Sequence, residues 1–151
     1  MSTDLLRLIP EDPALVPAAG AIAAARALLR TYLPEAELVT SLVSDEIRFV
    51  DPGSSFESVS CPSCLAELDP EWWQWAMESA FDREFADLSL TTPCCGAPTN
   101  LNALHYRGPA GFARFSIEVA EPGVGRALSS EEMDELEKIL ETPLRQIRAR
   151  Y

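Results

Sequence analysis

Apolar and polar side chains alternate most cleanly over residues 112–119, where Ala113, Phe115, Ile117 and Val119 fall on one side and Phe112, Arg114, Ser116 and Glu118 on the other. This stretch predicts a half-buried strand with the first set facing the core. Elsewhere the apolar period lengthens to that of a helix. Ile22, Ala25, Leu29 and Tyr32 share one face of a segment that begins with Pro17, suited to a first helical turn, and stops at Leu33 before Pro34. Met133, Leu136, Ile139 and Leu140 repeat the pattern, and Ser129 with Glu132 has the spacing of a capping box for a helix ending near Leu140. A further helix is expected over 71–85, with Asp69 as its N-cap and Pro70 at its first position. Its core face is Trp73, Met77, Ala80 and Phe81.

The remaining segments are shorter. Residues 5–9 read as a first strand closed by Pro10 and the Glu11-Asp12-Pro13 turn. Segments 37–44 and 46–50 are rich in Val, Leu, Ile and Phe, and the Ser44-Asp45 step between them predicts a hairpin. Residues 88–92 read as a strand, and 143–150 as one or two final turns carrying Leu144 and Ile147. The sum is an α+β fold, a small β-sheet packed with helices in one domain spanning 1–151. The segment from about 60 to 100 interrupts it as an insertion.

Composition narrows the range of functions. At 151 residues and 47% hydrophobic side chains, the chain is long enough for one real core. Its net charge of -12 repels nucleic acid phosphates and anionic lipid headgroups, so neither nucleic acid nor a membrane is an expected partner, and a basic protein fits better. The acidity is uneven: over 61–100, Glu67, Asp69, Glu71, Glu78, Asp82, Glu84 and Asp87 face Arg83 alone. No apolar run follows a basic stretch at the N-terminus, and Arg26 and Arg30 interrupt the Ala-rich segment 18–33. The expected location is therefore a reducing cytoplasm, where cysteines bind metal or do redox work more often than they form disulfides.

The four cysteines fall in two close pairs, Cys61-Pro62-Ser63-Cys64 and Pro93-Cys94-Cys95-Gly96. In a knuckle of this kind the first thiolate accepts backbone N–H groups further along the same turn, so a Pro at the second position removes no donor that the site needs. Gly96 supplies left-handed backbone for such a turn. On these residues the middle of the chain resembles the rubredoxin-like zinc ribbons, with Cys61-Pro62-Ser63-Cys64 as the first knuckle and Thr92-Pro93-Cys94-Cys95-Gly96 as the second. The resemblance implies one structural Zn2+. Leu65 stands where the family has Gly, and Thr92 where it has the third cysteine, so Cys95 takes the last ligand position and Cys94 a variable one. Two ligand sets stay open: Cys61, Cys64, Cys94 and Cys95 together, or three cysteines with His105, the only histidine. Iron is the competing metal.

Over its whole length the chain also resembles small uncharacterised bacterial proteins that join Cys-Pro-X-Cys and Pro-Cys-Cys-Gly to later motifs, here Leu101-Asn102-Ala103-Leu104 and Gly111-Phe112-Ala113-Arg114-Phe115. That likeness implies no activity. A thiol-disulfide redox role for Cys61 and Cys64 would need a helix starting at the first cysteine, and Asp69-Pro70 cuts that segment short. No phosphate-binding Gly-rich loop and no His-Glu-X-X-His stands in the sequence, and nothing in it brings Asp51, Glu57 and His105 together. The expected protein is non-enzymatic, a zinc-stabilised interaction domain, with Trp72 and Trp75 as candidate partner-binding side chains. Two other classes compete with it: an acidic immunity-type inhibitor of a basic toxin, and a thiol- or metal-dependent enzyme.

Overall fold

The computed structural model describes residues 3–123 and 125–151. The fold is α+β. Four strands, β1 (Asp4–Pro10), β2 (Leu38–Val50), β7 (Gly111–Ala120) and β8 (Leu144–Arg150), form an antiparallel sheet in the order β2-β7-β1-β8. Two helices, α1 (Ala19–Tyr32) and α3 (Ser130–Leu140), cover one face of it. Register aligns Leu6 with Val119 and Leu8 with Ile117, and these residues pack with Phe115, Val39, the α1 residues Ala25 and Leu29, and the α3 residues Leu136 and Leu140. Each buried Leu, Ile, Val or Phe here contributes roughly 1.5–3 kcal/mol relative to exposure, so this layer is the main source of stability in the sheet. The capping box is present: the Glu132 N–H donates to Ser129 Oγ at 3.2 Å, and the Ser129 N–H donates to Glu132 Oε1 at 3.0 Å. No described helix is long and apolar enough to cross a membrane.

Two expectations about strands are corrected. Residues 37–50 do not make a hairpin; both halves pair with β7, and β2 runs through as one strand. Between Val43 and Arg48 its register slips, and Ser44, the expected turn, sits in the bulge, where its carbonyl accepts Arg114 Nε at 3.0 Å. The long β7 offers more backbone partners than a short neighbour could. Residues 144–150 likewise form β8, not helical turns, because the outer edge of β1 accepts seven residues in register from Asp4↔Arg150 to Pro10↔Leu144. Leu144 and Ile147 are buried on it at a spacing that also fits a helix.

Between β2 and β7 the chain first bonds the Arg150 backbone of β8 through Pro52–Ser54 and then leaves the sheet until residue 110. Strand β3 (Ser58–Ser60) pairs with β6 (His105–Arg107), forming a neck. Beyond it lie α2 (Pro70–Phe81), the hairpin β4 (Ser89–Thr91) with β5 (Pro98–Asn100), and a single 3-10 turn over Leu101–Ala103. Asp69 caps α2 as expected, accepting the Glu71 N–H at 2.9 Å. The helix ends at Phe81 rather than 85, and Phe81 is 68% exposed, against the expectation that it is core. Phe85 is the buried ring instead, because Glu84 and Phe85 both turn left-handed (φ 56° each) and fold the chain back under the helix.

Val59, Leu68, Met77, Ala80, Phe85 and Leu101 form a second core, and Phe112 of β7 joins it to the sheet. At the neck Gly108 has φ +79°, and a Cβ there would collide with the Ser55 carbonyl. Gly108→Ala is therefore expected to lower the unfolding free energy by about 1–3 kcal/mol, read as a lower urea midpoint at unchanged slope.

Candidate metal centre

Two turns of the same construction face each other. In the first, the Cys61 N–H donates to the Ala66 carbonyl at 2.9 Å and the Leu65 N–H donates back to the Cys61 carbonyl at 2.9 Å. In the second, the Thr92 N–H donates to Ala97 O at 3.1 Å and the Gly96 N–H donates to Thr92 O at 3.0 Å. Thr92 thus stands where Cys61 stands, Cys95 where Cys64 stands, and Gly96 (φ 71°) where Leu65 (φ 65°) stands. Leu65 adopts the left-handed conformation that glycine takes more easily, so the first turn carries a local strain that the second does not. Strand β3 leads into the first turn and the β4–β5 hairpin closes on the second.

The Sγ atoms of Cys61, Cys64, Cys94 and Cys95 all lie within 4.8 Å of one another. Cys61 and Cys95 are 3.8 Å apart, Cys64 and Cys94 3.3 Å. A tetrahedral site with metal–sulfur bonds of about 2.3 Å separates its sulfurs by about 3.8 Å, so the cluster can close on one ion with small adjustments. Adjacent cysteines reach the same point because they sit in a turn: Cys95 Sγ meets Cys61, and Cys94 Sγ meets Cys64. His105 lies on β6 opposite Ser60, exposed, and is not a member of the group. Asp51 accepts the Tyr151 hydroxyl at 2.7 Å and Glu57 pairs with Arg107 at 3.4 Å, so neither belongs to it.

Electrostatics prepare part of the cluster for a cation. The Cys61 thiol is lowered from 9.0 to about 6, first by the Cys64 N–H, then by the Ser63 N–H and the Thr92 hydroxyl, against the opposing effect of burial. Cys95 is also lowered, chiefly by the Thr92 hydroxyl and the Ala97 N–H. For Cys64 the Ala66 N–H pulls downward but is outweighed by the neighbouring Cys94 sulfur and by burial, and the thiol is pushed up to about 11. Thr92, 1% exposed, stands between the two turns with Oγ1 3.4 Å from Cys95 Sγ and 3.7 Å from Cys61 Sγ. It stands beside both sulfurs from the position that Cys61 holds in the first turn. Cys61 is buried while the other three cysteines are exposed. No helix begins at Cys61, which follows β3 directly, so the arrangement lacks the helix N-terminus of a thiol-disulfide redox motif.

The two tryptophans separate. Trp72 is half-buried against the second core, whereas Trp75 is 63% exposed. Trp73, between them in sequence, stacks on Phe56 at 5.3 Å and donates Nε1 to Tyr106 Oη at 3.3 Å. No protein-family model matches the chain, and no curated protein or solved structure matches it either.

Proposed function

We propose that this chain is a non-enzymatic interaction domain whose inserted segment is held by one structural zinc ion on Cys61, Cys64, Cys94 and Cys95. The convergence of four sulfurs from two facing turns carries this reading. Zinc suits it because structural sites take four thiolate or imidazole ligands in a tetrahedron, and four protein thiolates leave no position for a reacting water. The metal would join turns far apart in sequence, which is a structural rather than a catalytic task. Exposed Trp75 and the acidic balance of the insert favour a basic protein partner in the cytoplasm.

Elemental analysis of protein purified from its own cells tests the metal. One zinc per chain is expected, with thiols slow to react until a chelator is added. Stoichiometric iron would replace zinc in the proposal, and a metal-free protein with four freely reactive thiols would end it. The acidity of the insert also favours a second reading, an inhibitor that neutralises a basic toxin. A tight, salt-sensitive complex with a basic enzyme would distinguish it.

A further inference from the structure

On the flank of α2 away from Trp72 and Trp75, the helix and the bulged part of β2 enclose an open groove of about 1000 Å³. Its floor includes the buried rings and chains of Met77 and Phe85, and exposed Phe81 stands in its wall. Phe81 is not a loose side chain: it meets Phe85 edge-on at 5.7 Å, and Phe85 meets Phe112 of the sheet at 5.2 Å. A rigidly braced, solvent-facing aromatic ring loses little freedom when covered, which is what an interface anchor needs.

The charges around this apolar floor are uncompensated. Glu46, Glu78, Asp82 and Glu84 line the groove against Arg48 alone. Three of them gather at the C-terminal end of α2, the negative end of the helix dipole, and the last turn carries no basic residue. Glu84 is placed there by left-handed backbone that a non-glycine residue adopts only at a cost. Across the groove, the charge of Glu84 pushes the Glu46 carboxyl above its ordinary range, with partial desolvation and the charge of Asp45 adding to the effect. Repulsion, dipole and backbone strain all oppose this arrangement in the free protein, and a cation placed between the carboxylates would relieve the first two.

We infer that the groove between α2 and the β2 bulge docks a basic, apolar peptide segment of a partner protein, with an Arg or Lys between Glu46 and Glu84 and an apolar side chain against Phe81. The inference rests on the interaction-domain reading and gives it a surface and a partner chemistry. Anionic partners are excluded by the same carboxylates, and a purely charged partner would leave Phe81 and Met77 uncovered.

The test uses the full chain and a fluorescein-labelled ten-residue peptide alternating Arg or Lys with Leu or Phe, followed by fluorescence anisotropy at low and moderate salt. Binding is expected to weaken with salt, and at least tenfold in Glu46→Gln/Glu84→Gln and in Phe81→Ser. It should be unchanged in Glu37→Gln/Asp134→Asn, which removes the same charge from exposed positions elsewhere. The inference is overturned if the peptide does not bind, or if a version with Ser at the apolar positions binds equally. Displacement by spermine as effective as by unlabelled peptide, or a dimer in sedimentation that Phe81→Ser abolishes, would also overturn it in favour of a small cation or a second copy. Zinc content measured on the same samples separates the two readings: zinc-loaded protein that ignores the peptide defeats the groove alone, and metal-free protein that binds it defeats the metal alone.

Discussion

Stripping the proposed zinc with a chelator is expected to unfold the insert while the four-stranded sheet stays folded. Beyond its own small core the insert has only two ribbons of two strands, three residues per strand, and such pairs have no independent stability in water. Structural zinc contributes on the order of 10–16 kcal/mol in small zinc-held peptides, comparable to the burial of several side chains of the second core. The sheet, by contrast, keeps Leu6, Leu8, Phe115, Ile117, Leu29 and Leu136, none of which touches the cysteines.

All three tryptophans lie on α2, so selectively excited tryptophan fluorescence reports the insert alone. The emission should shift to the red on chelation as Trp73 leaves Phe56 and Tyr106. Amide exchange should accelerate at Cys61, Leu65, Thr92 and Gly96, whose N–H groups close the two turns, and remain slow in β1 and β7. Cys61→Ser should reproduce the effect, since Cys61 is the buried member of the cluster. Acid should do so as well, because the ligands must be thiolates to hold the ion. Simultaneous loss of protection in β1 and β7 would show instead that Phe112 couples the two cores into one cooperative unit.

The second large effect concerns which residue completes the tetrahedron. Cys94→Ser is expected to weaken metal binding by more than about 100-fold, since even partners outside the coordination sphere are worth 10–100-fold. Thr92→Cys/Cys94→Ser is expected to recover most of that loss. The reason is the equivalence of the two turns: Thr92 occupies the place of Cys61 and lies buried beside both Cys61 and Cys95, so a sulfur there would meet the ion without the off-pattern cysteine. Competition with a chromophoric chelator reads both values. Undiminished affinity in Cys94→Ser would remove Cys94 from the ligand set, and failure of the double variant to recover would break the equivalence.

The local signals in the sequence were strong wherever a side chain acts on its own backbone. Asp69-Pro70 and Ser129 with Glu132 start helices because their oxygens satisfy nearby N–H groups, and the structure has those caps. The alternation through Phe115, Ile117 and Val119 marked the central strand and its core face, although Phe112 and Ser116 on the other face, expected to be outward, are buried as well. The paired spacing of Cys61 with Cys64 and of Cys94 with Cys95 marked two turns able to present thiols, and the departures at Leu65 and Thr92 were visible as well.

What the tertiary structure alone decided is partnership. Residues 37–50 carry the pattern of two strands with a turn, and only the long β7 lying beside them makes them one bulged strand. Leu144 and Ile147 fit a helix or a strand equally, and the open edge of β1 settles the matter. Phe81 and Phe85 both fit a helical core face, yet the left-handed step at Glu84 buries one and exposes the other. The choice of Cys94 over His105 in the cluster, and the meeting of Glu46 with Glu84 in one groove, depend on which segments remote in sequence come together. Local hydrogen bonding and hydrophobic period are properties of a few neighbouring residues, whereas pairing and convergence depend on what the rest of the chain brings alongside.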